Sequence, residues 1–186
     1  MALEIVLIIL VVLIVLAALW VMGIYNRLVQ LRVLIDNAWA QIDVFLKRRY
    51  DLIPNLVETV KGYAKHEKET LQNITKARAA LMTGSAEDRM AANNMLTQSL
   101  KSLFAVSENY PQLKANENFL ELQKELANTE NSIASVRPQY NNAVAEFNTA
   151  VQQFPSNIIA GMFGFSAKPW FETAQTEREA PKVKFT

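Results

Sequence analysis

Hydrophobic and polar positions divide the chain into one unbroken apolar run and a long stretch of helical periodicity. From Ile5 to Ile24, twenty residues pass without a charge. A helix of that length rises about 30 Å, the thickness of a bilayer's hydrocarbon core. The run is apolar on every side, so it marks no face for a soluble core. Ile5, Leu10, Leu16, Trp20 and Ile24 are the expected spanning residues, with Trp20 and Tyr25 near the end where amphipathic aromatics favour the headgroup level.

Beyond Tyr25, apolar residues recur at three and four. Leu28, Leu31, Ile35, Ala38, Ile42 and Phe45 form the first stripe, widened by Trp39 and Leu46, and predict a helix continuous with the anchor that ends near Tyr50. Asp51 then offers an N-cap and Pro54 suits the first turn of a second helix, which carries Leu56, Val57, Val60, Tyr63, Leu71, Ile74 and Leu81. Alternatively the helix runs through Pro54 with a kink, and the hairpin moves towards Gly62. Gly84 and Ser85 end this helix and start a third, with Leu96, Leu100, Leu103 and Phe104, which Tyr110-Pro111 stops. A fourth begins at an Asn116 cap and carries Phe119, Leu122, Leu126, Ile133, Val136, Tyr140, Val144, Phe147, Val151 and Phe154 at nearly heptad spacing, with Pro138 inside it as an expected kink. The predicted fold is all-α: an N-terminal transmembrane helix (1–25) continuing into an up-down-up-down antiparallel four-helix bundle (26–154), then a short amphipathic segment (155–171) and a polar tail (172–186).

Composition narrows the function classes. The formal net charge is +1, so nothing marks the chain for nucleic acid, and the absence of Cys removes disulfides, thiolate metal sites and a Cys nucleophile. The start, Met-Ala-Leu-Glu, lacks the positive charge of a signal peptide, although Val15-Leu16-Ala17 resembles a cleavage site. Arg27 and Arg32 follow the apolar run, whereas only Glu4 and the terminal amine precede it. The positive-inside rule therefore sets the N-terminus outside and the folded part in the cytoplasm.

Long segments carry a resemblance. YNRLVQLRVLIDNAWAQIDVFLKRRYDLIPNLVETVKGYAKHEKETL, YPQLKANENFLELQKELANTENSIA, FPSNIIAGMFGF and the closing APKV resemble the LemA family, and together they cover most of the chain beyond the anchor. The resemblance implies a bacterial protein of the cell (inner) membrane, with one N-terminal membrane helix before a helical bundle. It implies no agreed biochemical activity and hands over no catalytic residues. Val136-Arg137-Pro138-Gln139-Tyr140 departs from the family's pattern and puts a straight fourth helix in doubt.

Candidate chemistry is sparse. His66 is the one histidine and stands in a charged run, without the second histidine of a zinc helix or the Glu-x-x-His pairs of a di-iron bundle, so no enzyme, metal or cofactor is expected. The basic cluster Lys47-Arg48-Arg49 either closes the first helix or forms, with Asp51 and Tyr110, a partner-docking site at the bundle's far tip. Between 154 and 171, Phe154, Ile158, Ile159, Met162, Phe163, Phe165 and Trp170 are too apolar for a free loop. They read either as a cap on the bundle or as a membrane or subunit contact, since a long fourth helix returns this segment, Phe171 included, towards the headgroups. Its stripe is also expected to outrun the neighbouring helices and leave apolar surface for another subunit. The tail's Val183 and Phe185 suit strand-like docking on a neighbour. The expected partners are the lipid bilayer and further copies of the chain, with another membrane protein as the alternative. The expected role is a self-assembling membrane scaffold; the rival is a monomeric adaptor working through the distal tip.

Overall fold

The computed structural model describes residues 1–64 and 67–172, and among these the regular structure is entirely helical. Six helices follow in order: α1 (Ala2–Lys61), α2 (Lys68–Ala80), α3 (Ala86–Ser107), α4 (Pro111–Lys114), α5 (Glu117–Gln152) and α6 (Ser156–Met162). α1 is 60 residues long, and its first twenty or so residues are exposed on every side, as an apolar run without a core to face must be. By length and composition this helix is able to cross a membrane.

The expected break at Asp51 and Pro54 does not occur. α1 runs through both, so the predicted first helix and the start of the second are one element. Proline lacks the N–H that would bond the carbonyl four residues back, which here belongs to Tyr50. Arg78 of α2 supplies the missing donor: its Nε lies 2.9 Å from the Tyr50 carbonyl oxygen, and its guanidinium sits 3.8 Å over the Tyr50 ring. With that carbonyl satisfied, the helix has no reason to stop. Asp51 pairs instead with Lys47, one turn back, at 2.6 Å. The chain turns at Gly62, where the amides of Tyr63 and Ala64 both bond to the Val60 carbonyl.

The other boundaries fall where local chemistry puts them. Ser85 caps α3 in a capping box: the Asp88 amide bonds to Ser85 Oγ at 3.2 Å, and the Ser85 amide bonds to Asp88 Oδ2 at 2.8 Å. The two bonds from Ser85 hold the Asp88 carboxyl below its usual pKa. Gly84 precedes the cap at φ +85°, and a Cβ there would meet Asp88 Oδ2 at 2.7 Å. Asn116 accepts the Phe119 amide at 3.0 Å and so starts α5. Pro138 lies inside α5, which is continuous past it. Pro138 and Ala134, whose carbonyl loses its donor, are both exposed, so water can serve that carbonyl.

The described residues form two compact units, Met1–Ala38 with Gln139–Trp170 and Trp39–Pro138 with Phe171 and Glu172. In the second, Ile42, Leu46, Ile53, Leu56 and Val60 of α1 are buried, as are Ile74 of α2 and Leu81 at its C-cap, Leu96, Leu100 and Leu103 of α3, and Phe119, Leu126 and Ile133 of α5. Polar pairs fix neighbours: Asp43 with Arg89, Arg48 with Glu125, Tyr63 with Asn116, and Glu67 with Tyr110. In the first unit Leu28, Leu31, Ile35 and Ala38 are buried together with Tyr140, Val144, Phe147 and Ala150 of α5. The α5 stripe is thus covered as far as Phe147 and Ala150. The coverage reaches that far because α1 runs on to Lys61 rather than ending at Tyr50, and of the expected stripe Phe154 is left 75% exposed.

Candidate functional site

The candidate site belongs to the first unit, where α5 ends and α6 begins. α5 closes at Gln152, and a cis Phe154–Pro155 bond leads into α6. Ser156 does not cap α6 as its position suggests. Its hydroxyl points back to the α5 terminus, at 2.5 Å from the Ala150 carbonyl and 2.9 Å from that of Gln153, which also accepts the Asn157 amide at 2.8 Å. After α6 the chain returns along α5. Lys168 is clamped by Asn148, whose Oδ1 accepts the Lys168 amide at 2.7 Å while Nδ2 donates to its carbonyl at 2.9 Å. The Tyr140 hydroxyl donates to the Pro169 carbonyl at 3.1 Å. Burial, then the charge of Asp36, pushes the Tyr140 phenol up to about 12.

This folding-back sorts the aromatic segment into two sets. Ile159 is buried with Ala160, and Phe165 is half-buried, packed on Phe147 at 6.3 Å and Tyr25 at 5.8 Å beneath the Arg32 guanidinium at 5.6 Å. For these residues the cap reading describes the packing. Phe154 and Met162 are 75% and 71% exposed, and Ile158, Phe163 and Trp170 each about half. Phe163 packs against Tyr25 at a centroid distance of 4.8 Å with the rings tilted by 59°, which puts it beside the residue that follows the apolar run. Phe171, expected among the headgroup aromatics, is instead 1% exposed in the second unit, with the Arg137 guanidinium 4.9 Å over its ring.

Beside the exposed set lies an open cavity of about 520 Å³. Trp20, Ile24, Arg27 and Leu28 of α1 form one wall, and α5 forms the other with Glu146 and Ala150. The sequence reading missed Glu146, a lone acid on a polar helix face whose importance comes only from the α1 residues opposite.

The proposed docking cluster does not assemble. Arg49 is 1% exposed, because on a continuous α1 it falls on the buried stripe between Leu46 and Ile53. Its Nη1 donates to Asn93 Oδ1 at 2.6 Å, to Thr97 Oγ1 at 3.2 Å and to the Glu130 carboxylate. Burial lowers the Arg49 pKa, and Glu130 opposes that shift. Arg137 approaches the same Glu130 at 4.0 Å. Arg48 remains exposed and paired with Glu125, and Asp51 pairs with Lys47. Tyr110 sits apart from all three, bonded to Glu67 at 3.2 Å; burial first, then Glu67, raises its phenol pKa. The helix carrying the basic cluster ends at Lys61 rather than Tyr50, so Lys47–Asp51 is not a tip. His66 and the tail beyond Glu172 lie outside the described residues, among which no group of three His, Asp or Glu side chains is placed to hold a metal.

A chain named Protein LemA from Metamycoplasma hominis is 26% identical, with 84% of this chain and 73% of that protein aligned. Magnetosome protein MamQ of Magnetospirillum gryphiswaldense is 24% identical over 79% of this chain, and Magnetosome protein MamQ 2 of Paramagnetospirillum magneticum is 23% identical over 80%. The chain spans only 64% of the length of each of these two magnetosome proteins. The sequence profile of the LemA family matches residues 38–185, from the middle of α1 through almost the whole remaining chain, and the chain therefore belongs to the LemA family.

Proposed function

We propose that this protein is a single-pass membrane protein with a structural role, which assembles with further copies of itself at the membrane surface. The observation that carries the reading is the exposed set Phe154, Ile158, Met162, Phe163 and Trp170, of which Phe163 packs against Tyr25 where the apolar run ends. Side chains of that size are costly to leave in water, and such a patch is the mark of a lipid or subunit contact. An anchor that fixes every copy in one orientation also lowers the orientational freedom lost on lateral association.

The polar pairs of the second unit support an up-down-up-down bundle of α1, α2, α3 and α5. Arg78 reaches back to Tyr50, Arg89 and Thr97 climb with Asp43 and Arg49, and Asn116 and Glu125 descend past Tyr63 and Arg48. Arg27 and Arg32 favour the folded part on the cytoplasmic side of a bacterial inner membrane. A cysteine at exposed Gln98 is then shielded from an impermeant thiol reagent in intact cells, and ready labelling reverses the orientation.

Particle size of the full-length protein in mild detergent, by electron microscopy, tests the assembly. Large regular particles that dissolve in a Phe154→Ser/Met162→Ser variant are expected. Uniform single-chain particles overturn self-assembly. They would favour the adaptor reading, for which the apolar groove between α1 and α2, flanked by Lys61, Lys68 and Lys76, is the better surface.

A further inference from the structure

We propose that the cavity between Trp20–Leu28 of α1 and the end of α5 holds the headgroup of one membrane phospholipid, and that the fitting headgroup is zwitterionic: a phosphate followed by a primary ammonium. The assignment rests on the reading that residues 5–24 span the bilayer and that the α6 aromatics face it. At about 520 Å³ the cavity is in the range of small-ligand sites. Ile24, Leu28 and Ala150 give it apolar walls suited to the glycerol and upper acyl carbons. Its charged lining is one cation and one anion, Arg27 and Glu146.

Arg27 lies three residues past Ile24, the last of the apolar run, at the level where lipid phosphates stand. A guanidinium matches phosphate oxygens with two parallel donors. Glu146 decides the rest of the headgroup: from the α5 wall it repels a purely anionic lipid and attracts an ammonium. Ser156 adds to this. Its hydrogen is engaged by the carbonyls of Ala150 and Gln153, which leaves the hydroxyl oxygen in the cavity wall as an acceptor, the partner an ammonium needs.

Native mass spectrometry of the full-length protein tests the assignment. The protein is released from micelles containing equal amounts of phosphoethanolamine and phosphoglycerol lipids with identical acyl chains. A single-lipid adduct is expected, favouring the phosphoethanolamine lipid by about tenfold, the factor for one charge-assisted contact. Glu146→Gln is expected to bring the two lipids to parity, and Arg27→Ala to weaken both adducts. Both side chains are exposed, so neither change threatens folding. Equal adducts, a preference for the phosphoglycerol lipid, or a preference that survives Glu146→Gln overturns the assignment. Quenching of Trp20 and Trp170 by lipid-borne quenchers separates this from the membrane reading. Lost selectivity with both tryptophans quenched overturns the headgroup site alone, whereas unquenched tryptophans overturn both.

Discussion

Arg49 keeps a guanidinium at 1% exposure in a stripe that is otherwise aliphatic. Removing such a group from water costs several kcal/mol, which the bonds to Glu130, Asn93 and Thr97 must offset. The offset is incomplete: Nε of Arg49, Nε of Arg137 and Nδ2 of Asn93 have no partner among the described residues. Arg49→Ala should therefore destabilise the protein by about 3–5 kcal/mol, because it leaves a cavity and removes the cation nearest Glu130, with only Thr97 and the more distant Arg137 remaining. Arg49→Met with Glu130→Gln should recover much of that loss, as read from chemical denaturation followed by circular dichroism. Equal losses for the two variants would mean that neither the cavity nor the unpaired carboxylate carries the effect, and that the buried pair is itself net stabilising. Tyr140 gives the pH counterpart. Its folded pKa is raised to about 12, so its contribution is complete below the unfolded value of about 10 and is lost as pH rises towards 12. Tyr140→Phe should flatten the stability profile across that window and, through the lost bond to Pro169, cost about 1 kcal/mol at neutral pH. An unchanged slope would show that other groups control the alkaline limb.

Among the elements, the two helical prolines show what periodicity can and cannot reveal. The caps at Ser85 and Asn116 were legible because each partner lies three residues away, at Asp88 and Phe119. The heptad of α5 was legible too, and its buried set, Phe119, Leu126, Ile133, Tyr140 and Phe147, keeps the step of seven through Pro138. At Pro54 the sequence leaves two readings open, and the continuous helix with its turn at Gly62 holds over the break because the rescue is non-local: the donor to the Tyr50 carbonyl stands on Arg78, in another helix. The choice between them decides other residues. A helix ending at Tyr50 makes Arg49 a terminal cation, whereas on a continuous helix Leu46, Arg49, Ile53, Leu56 and Val60 follow a three-four spacing that points Arg49 inward. The candidate site was half legible for a similar reason. The aromatic run announces itself, but Glu146 matters only through residues more than a hundred positions earlier. A double-mutant cycle measures the rescue. Arg78→Met should cost about 1–2 kcal/mol in the native background, the value of a bond that satisfies a part-buried carbonyl. In a Pro54→Ala background the restored N–H serves Tyr50, and the cost of Arg78→Met should fall by about 1 kcal/mol. Additive losses would mean that Arg78 acts through its stacking on Tyr50 and not through the carbonyl.

For the molecule as a whole, the question is whether the chain meets the membrane once or twice. An apolar helix alone gives one contact, and everything after it would then be free of the lipid. The first unit argues for a second, because the strap that follows α6 is tied to α5 by Asn148 and Tyr140, and Phe163 is packed against Tyr25. The ties fix Trp170 in the same unit as Trp20, with both indoles about half exposed. If both contacts exist, the exposed aromatics lie among headgroups, where an indole finds apolar contact for its ring and water for its N–H. Single-tryptophan proteins in vesicles carrying nitroxide lipids separate the cases. With Trp39 and Trp170 changed to Phe, Trp20 should be quenched, since its position follows from the apolar run. With Trp20 and Trp39 changed to Phe, Trp170 should be quenched most by nitroxides near the headgroup and less by those deep in the acyl chains. A Trp170 that lipid quenchers do not reach, beside a quenched Trp20, would reduce the membrane contact to the anchor and leave Phe154, Met162 and Phe163 as surface for another copy of the chain.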